Sequence, residues 1–296
     1  MMVHGDDFVT TGDIEDIRWL KEKLEERFES KTTIIGEHEA HEGKILNRIV
    51  RITEDGWELE ADQRHGEYIV KALNLTEANP VTTPSEEERP WRQEEEAEKL
   101  DATGAAEYRS LAARANYLAS DRPDIQFSVK EMCRSMSEPT VGDRRKLKRL
   151  ARYLLGRPRV VSQFRWQEEA DYAEGFSDSN WAGCRKTSRS TSGGIMLIGG
   201  HAIESWSSTQ RSITLSSAEA ELVAAVKMCS ELIGLTQLAA DWGLQLQGRV
   251  HADSSAATAV AERKGNGRLR HMRVGDLWIR EKVERDELKI QKVNGE

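Results

Sequence analysis

The order of elements after residue 170 is the feature that most constrains the fold. Three short strand-like segments with glycines between them come first, and a long amphipathic stretch follows them. Ser216, with Glu219 three residues later, predicts the start of a helix, and Gly243 predicts its end. A strand ending at Asp253, further helical segments and a last strand come next. This order predicts an α/β unit with a mixed sheet.

The part of the chain before residue 170 has a different pattern. Residues 13–28 are typical of an amphipathic helix, and residues 45–62 alternate as a β-hairpin does. A stretch rich in proline and glutamate follows residue 80, and residues 105–156 are typical of helices. We therefore expect α+β structure here. The predicted segments are 1–85, an acidic linker at 86–104, a helical region at 105–168 and the α/β unit at 169–296.

Composition excludes several classes of protein. No run approaches the ~18 to 20 apolar residues that a bilayer span requires, and the N-terminus lacks the basic and apolar regions of a signal peptide. The three cysteines form no CxxC pair, which argues against a disulfide framework or a thiolate zinc site. We expect an intracellular protein, in the cytoplasm or nucleus, without a membrane partner.

The net charge of −8 hides a basic segment. Residues 143–165 carry nine cationic side chains and one acidic one, and we call this segment the basic stripe. Such a stripe predicts contact with the phosphates of a nucleic acid, although it also fits the solvated face of a helix. The candidate phosphate-binding residues are Arg144, Arg145, Lys148, Arg149 and Arg152.

Two further loops combine cations with small or polar residues. Arg185 and Lys186 open a run rich in serine, threonine and glycine, and Arg270 lies in a second glycine-rich loop. Hydroxyl groups and cations can hold phosphates together, but loops of this composition are also ordinary connectors. Both readings stay open at this point.

Three carboxylates occupy positions where α/β proteins usually build a site, namely strand ends and a helix start. Asp178 closes the first strand of the α/β unit, Glu221 lies in the first turns of the long helix, and Asp253 closes the fourth strand. If the first and fourth strands are neighbours in the sheet, the three side chains converge. Taken singly, each residue also fits a turn or a helix cap.

Clustered carboxylates repel one another unless a cation neutralises them. Such a cluster is a site for a hard, oxygen-seeking ion, which here means Mg²⁺ or Mn²⁺. Two such ions can activate a water and stabilise the leaving oxygen in the hydrolysis of a phosphodiester. The trio therefore predicts a phosphodiesterase site with two Mg²⁺ or Mn²⁺ ions as cofactors.

Asp6 and Asp7 form a second acidic feature, a pair on a predicted turn between two strands. Paired aspartates of this kind can hold the metals of a polymerase palm, and a turn that begins with Gly-Asp is equally ordinary. A two-metal palm also needs an aspartate on an earlier strand, and only three residues precede His4. We therefore expect no complete polymerase site.

Several motifs occur in a fixed order along the chain. They are Val3-His-Gly-Asp-Asp, Arg122-Pro-Asp-Ile, Leu147-Lys-Arg-Leu-Ala-Arg-Tyr-Leu-Leu-Gly, Phe176-Ser-Asp-Ser-Asn-Trp-Ala-Gly, Thr187-Ser-Arg-Ser-Thr-Ser-Gly-Gly, Leu215-Ser-Ser-Ala-Glu-Ala-Glu-Leu and Ile279-Arg-Glu-Lys-Val-Glu. Together they resemble the C-terminal part of the Pol polyprotein of copia-type LTR retrotransposons, from the reverse transcriptase through a connection region to the ribonuclease H domain.

The resemblance implies roles for the acidic residues. Asp178, Glu221 and Asp253 match metal-binding carboxylates of a ribonuclease H, which hydrolyses the RNA strand of an RNA·DNA hybrid. Asp6 and Asp7 match a relic of the polymerase motif, so segment 1–85 is expected to be a palm and thumb remnant without reverse transcription. The implied partners are an RNA·DNA hybrid or another nucleic acid, and the remainder of a Pol polyprotein.

One departure from the family leaves two hypotheses. The family's fourth ribonuclease H acid falls after the last strand, and this sequence reaches only Lys292-Val-Asn-Gly-Glu. The first hypothesis is an active ribonuclease H fragment. The second is an inactive mobile-element remnant that at most binds nucleic acid.

Overall fold

The computed structural model describes residues 1–86, 98–184, 187–252 and 278–292, which fall into two compact units. Unit 1 comprises residues 1–122 and 136–166, and unit 2 comprises residues 123–135 and 167–296. The segment boundaries expected from the sequence stay a prediction. The units divide the chain in another way, because residues 123–135 pack with the strands of unit 2.

The strands and helices of the described residues have the following bounds. The strands are β1 (Met2–His4), β2 (Asp7–Val9), β3 (Glu42–Ile45), β4 (Arg48–Thr53), β5 (Gly56–Glu60), β6 (Val161–Arg165), β7 (Tyr172–Asn180), β8 (Thr191–Ile198), β9 (His201–Thr209), β10 (Gln247–Ala252) and β11 (Leu288–Lys292). The helices are α1 (Ile14–Glu25), α2 (Arg64–Ala72), α3 (Ala102–Ala119), α4 (Gln126–Cys133), α5 (Val141–Gly156), α6 (Ser217–Asp241) and α7 (Trp278–Glu284).

Unit 1 is built on an antiparallel sheet in the order β3-β4-β5-β6. β4 and β5 form the predicted hairpin, and its turn needs Gly56, whose φ is +142°. A Cβ atom there would lie 2.1 Å from the carbonyl oxygen of Phe164 on β6, so a larger residue would separate the two strands. The sequence analysis assigned no strand to β6, which lies within the end of the basic stripe.

Three helices supply the buried core of unit 1. Ile69 on α2, Leu111 on α3, and Leu147 and Leu150 on α5 are at most 2% exposed. α5 starts at a capping box in which Thr140 and Asp143 satisfy each other's backbone N–H groups. The helical pattern expected for residues 105–156 is confirmed for these elements.

The N-terminal elements of unit 1 contribute little to that core. β1 and β2 form a separate two-stranded hairpin, and α1 forms where a helix was predicted. The predicted apolar side of α1 is not buried, because no residue of this helix is buried among the described residues. Asp13 occupies the N-cap position without a side-chain hydrogen bond.

Unit 2 contains a mixed sheet in the order β11-β10-β7-β8-β9. β7, β8 and β9 pair antiparallel as consecutive hairpins, whereas β10 pairs parallel with both β7 and β11. The expectation that the first and fourth strands of this unit are neighbours is therefore confirmed. The predicted α/β class with a mixed sheet is confirmed as well.

α6 is the core helix of unit 2. It packs on one face of the sheet through Leu222, Met228 and Leu232, against Ala173 and Val250. By length and composition alone this helix would pass for a membrane span, which corrects the expectation that no such run exists. Its burial against the sheet accounts for its apolar composition.

The start of α6 differs in one detail from the prediction. Ser216 is the N-cap and accepts a hydrogen bond from the backbone N–H of Glu219, as expected. The Glu219 carboxylate, however, accepts from the N–H of Leu215 at 2.6 Å and not from that of Ser216. This hydrogen bond therefore links the loop before α6 to the first turn of the helix.

α4 lies against the other face of the sheet. Side chains alternate along a strand, so Thr191 and Ile195 on β8 face away from α6, whereas Met196 faces it. The Gln126 amide donates to the carbonyl oxygen of Ser205 at 2.9 Å, and Lys130 Nζ donates to the Thr191 hydroxyl at 2.8 Å. Polar contacts hold this helix to the sheet.

Candidate active site at the ends of β7 and β10

Asp178 lies near the C-terminal end of β7 and is exposed. Gly175 on the same strand faces α6, since a Cβ atom there would lie 2.3 Å from Met228 Sδ. Asp178 is three residues further along, and alternation therefore directs it to the opposite face of the sheet. Its carboxylate is accessible at a strand end.

Glu221 lies in the first turns of α6 and is 8% exposed. Its Oε1 accepts hydrogen bonds from the backbone N–H of Ser179 at 3.2 Å and from the Ser179 hydroxyl at 2.6 Å. Because Ser179 directly follows Asp178, these bonds fix Glu221 to the same strand end. The sequence analysis predicted both carboxylates but missed Ser179, since a serine after an aspartate is also an ordinary turn residue.

The register between β7 and β10 brings a second strand end to this edge. The two strands are parallel, and Ala252, where β10 ends, pairs with Ser177. The carboxyl ends of parallel neighbours meet at one edge of a sheet. Asp253 is the next residue in the sequence and lies outside the described residues.

A cleft of about 400 Å³ lies on the sheet face away from α6. Its lining residues are Phe176, Ser177, Asp178, Gly193, Gly194, Ile195 and His251. The rings of Phe176 and His251 stack with their centroids 4.5 Å apart, and His251 Nε2 lies 2.8 Å from Glu174 Oε1. Asp178 therefore borders a cleft with an aromatic wall.

The donors at this edge suit a hard divalent cation. The two described candidates, Asp178 and Glu221, are both carboxylates, and Mg²⁺ and Mn²⁺ prefer oxygen ligands. Within the ranges that the structure describes, no group of three or more His, Cys, Asp or Glu side chains comes together. A third carboxylate would have to come from outside those ranges, where Asp253 lies.

The second acidic feature lies in unit 1. Asp6 belongs to the two-residue turn between β1 and β2, and Asp7 is the first residue of β2. Both are exposed, and Gly5 takes the positive φ of +59° that this tight turn requires. The paired strands form a sheet of two, so the described residues bring no further strand to this pair of aspartates.

The basic stripe is largely paired inside unit 1. Arg145 and Arg149 on α5 both lie near the carboxylate of Glu86, at 3.7 Å and 3.4 Å. Arg152 donates to the carbonyl oxygen of Asn79 at 2.6 Å. These contacts bind the segment that follows α2 to the basic helix.

The remaining two candidates of the stripe differ from each other. Arg144 forms an ion pair with Glu107 on α3 at 2.8 Å. Lys148 is exposed and has no ion-pair partner within the described part of the chain. Phosphate binding stays a prediction for the whole stripe, and Lys148 is the one of the five candidates with neither an acidic nor a carbonyl partner among the described residues.

Three other candidates lie outside the described residues. They are Arg185, Lys186 and Arg270, from the two basic loops of unit 2. Their predicted contact with phosphates is therefore a prediction from sequence alone.

Several known proteins are similar to this chain in sequence. No family model matches the sequence. The retrovirus-related Pol polyproteins from transposons RE1 and RE2 of Arabidopsis thaliana are 32% and 29% identical to this chain, over 77% and 99% of its length. The chain spans 16% and 20% of the length of these curated relatives.

One of the solved structures that match this chain does so at low identity. The foamy viral protease-reverse transcriptase in complex with an RNA/DNA hybrid matches 96% of this chain and 34% of its own, at 11% identity and a TM-score of 0.49.

Proposed function

We propose, from the premise that this chain belongs to the family of copia-type retrotransposon Pol polyproteins, that unit 2 hydrolyses the RNA strand of RNA·DNA hybrids. Unit 2 is the ribonuclease H-like part of the chain. We further propose that the natural partners are nucleic acid and the remainder of a Pol polyprotein.

One observation carries the proposal. β7 and β10 are parallel neighbours whose C-terminal ends share one edge, and Glu221 is bound to Ser179 at that edge. A sheet of this order can bring together carboxylates from a strand end, a helix and a second strand end, and clustered carboxylates can hold the divalent ions that assist hydrolysis of a phosphodiester. The likeness to Pol polyproteins supports the same reaction.

Each residue of the proposed site has its own role. Asp178, Glu221 and Asp253 would hold two Mg²⁺ or Mn²⁺ ions through carboxylate oxygens. Ser179 would keep the Glu221 carboxylate oriented, because its hydroxyl and N–H both donate to the same oxygen. When bound, such a pair of ions supplies an activated water and stabilises the leaving oxygen.

The test is cleavage of a labelled RNA·DNA hybrid with Mg²⁺ or Mn²⁺. We expect the full chain to cut the RNA strand, and Asp178→Asn to lower the rate by at least about 100-fold, since even groups that only orient a metal ligand are worth about 10- to 100-fold. The matched control is Asp171→Asn, which removes an exposed aspartate just before the other end of β7 and should keep the rate.

Two outcomes would contradict parts of the proposal. Equal cleavage by the full chain and Asp178→Asn would reject the assigned site. No cleavage by either protein, with hybrid still bound, would favour the second candidate function, an inactive remnant that binds nucleic acid.

We propose no polymerase activity for unit 1. Asp6 and Asp7 are exposed on a hairpin that stays separate from the main sheet of the unit. Among the described residues no further strand brings a carboxylate to this pair, whereas two-metal synthesis uses a further aspartate.

A further inference from the structure

Two loops beside the proposed site expose large apolar side chains. Trp181 follows β7, and Ile213 and Leu215 lie between β9 and α6. Their side chains are 49%, 55% and 68% exposed. Soluble proteins rarely leave such side chains together at the surface unless the surface binds something.

A hydrogen bond joins the two loops. The Trp181 indole N–H donates to the carbonyl oxygen of Thr214 at 3.1 Å. Thr214 is 3% exposed, and its hydroxyl lies 2.9 Å from that of Ser190. With Thr214 held inward, Ile213 and Leu215 on either side of it stay at the surface.

These apolar residues lie next to the proposed catalytic edge. Trp181 comes three residues after Asp178. The N–H of Leu215 is held by the carboxylate of Glu219, in the first turn of the helix that carries Glu221. A molecule resting on this surface would therefore be close to both carboxylates.

Two arginines complete the surface. Thr191 on β8 pairs with Thr209 on β9, and the N–H of Gln210 continues the ladder by donating to the Ser190 carbonyl at 2.8 Å. Arg189 directly precedes Ser190 in the sequence and Arg211 directly follows Gln210, and both arginines are exposed.

Arg189 and Arg211 flank the backbone bond between Gln210 and Ser190, so this end of the surface is positively charged. Neither Arg189 nor Arg211 has an ion-pair partner in the portion of unit 2 that the structure describes. An exposed positive charge attracts anions, and a phosphate is the anion that a nucleic-acid strand would bring.

We propose that Trp181, Arg189, Arg211, Ile213 and Leu215 form a platform for unpaired nucleotides at the end of a hybrid duplex. The bases of a duplex are stacked on one another and unavailable, whereas an unpaired base can stack on an indole ring. The arginines bind the phosphates of the same strand. This inference rests on the proposed function and adds a substrate class to it, namely hybrids with a single-stranded extension.

The test compares the binding of two labelled hybrids to the full chain, one blunt and one with a six-nucleotide single-stranded tail. Binding is measured by fluorescence anisotropy with EDTA present, so that no cleavage intervenes. We expect the tailed hybrid to bind about tenfold more tightly, since one stacked base contributes about that much. Trp181→Ala should abolish the difference and Trp181→Phe should keep part of it.

The matched control is Trp242→Ala, which removes another exposed tryptophan of unit 2, at the C-terminal end of α6. It should keep the preference for the tail. The double variant Arg189→Gln and Arg211→Gln gives an independent readout, because losing two contacts to a single strand should flatten the dependence of log affinity on log salt by about 1.4.

Equal affinity for tailed and blunt hybrids would overturn the platform, and so would a tail preference that survives Trp181→Ala. The two proposals fail separately. Tail-dependent binding without cleavage would reject the hydrolase and keep the platform, whereas cleavage without tail dependence would do the reverse.

Discussion

Glu60 in unit 1 and Asp178 in unit 2 are both acidic residues on strands, and their surroundings are opposite. Glu60 is 1% exposed and accepts hydrogen bonds from Arg51, Arg159 and Gln63. These donors, Arg159 foremost, lower the pKa of its carboxyl from 4.5 to about 2. Asp178 is exposed at a strand end beside a cleft.

The cations show the same contrast. In unit 1, four of the five candidate residues of the basic stripe contact Glu86, Glu107 or a backbone carbonyl. In unit 2, Arg189 and Arg211 are exposed and have no ion-pair partner among the described residues of that unit. The difference teaches that net charge along the sequence does not locate a binding surface. Charges that are paired within a unit stabilise it, whereas exposed charges without a partner are accessible to ligands.

The largest effect that tests this contrast is expected for Glu60→Gln. The variant should lower the free energy of unfolding at pH 7 by about 3 kcal/mol, because a pKa lowered from 4.5 to about 2 corresponds to roughly that much. A lowered folded-state pKa stabilises the protein above the unfolded-state pKa. The wild-type advantage should therefore be complete above pH 4.5 and disappear as pH falls from 4.5 to about 2.

Urea unfolding at pH 7 and at pH 2.5 measures this difference. Glu58→Gln is the control, since Glu58 lies on the same strand at 3.8 Å from Arg51 and should cost under about 1 kcal/mol. Hydrogen exchange in β5 would assign the loss to unit 1. A difference that stays constant between the two pH values would contradict the assigned role of Glu60.

A smaller effect, now on catalysis, is expected for Ser179→Ala. The variant keeps the N–H bond to Glu221 and loses the hydroxyl bond of 2.6 Å. We expect the rate of hybrid cleavage to fall by about tenfold and the Mg²⁺ concentration for half-maximal rate to rise, because an orienting bond to a metal ligand is lost. Ser179→Thr should restore both values.

Ser208→Ala controls for a merely structural effect. Its hydroxyl accepts from Lys227 on α6 at 3.1 Å, so it too joins the sheet to that helix. The Mg²⁺ dependence should not change in this variant. An equal shift in both variants would show that loosening α6 suffices, and that Ser179 does not position Glu221.

The smallest effect concerns the basic stripe. Lys148→Gln should flatten the dependence of log affinity for hybrid on log salt by about 0.9, because one phosphate contact is lost. Arg149→Gln should change that slope less, since Arg149 already donates to the Thr83 hydroxyl at 2.7 Å and pairs with Glu86. Anisotropy titrations at several salt concentrations measure both slopes. A greater flattening for Arg149→Gln would mean that binding releases the internal pairs.

Local patterns predicted the elements of unit 2 but not all of their ends. The amphipathic pattern of α6 and its N-cap at Ser216 are local signals, and both were found. β9 extends to Thr209, because Ser207 and Ser208 pair with Gly193 and Ser192 of β8 although serine is common in turns. Pairing with a neighbouring strand overrides such local preferences.

The site was predictable as a set of residue types and less so as a geometry. Asp178 and Glu221 followed from their places at a strand end and a helix start. Asp178 is directed to the face of the sheet away from α6, whereas Glu221 reaches β7 from α6 and is linked to it through Ser179. This geometry depends on how α6 packs on the sheet. A single sequence holds no local signal for that packing, nor for the hydrogen bond from Trp181 to the carbonyl oxygen of Thr214.

The parallel pairing of β10 with β7 also determines when the proposed site is completed during synthesis. Only Gly199 and Gly200 separate β8 from β9, and residues 181–190 separate β7 from β8, so these three strands can pair soon after they leave the ribosome. β10 pairs with β7 only after the whole of α6 has been made, which raises the contact order of this edge. Until then the free side of β7 is open to mispairing with other nascent strands.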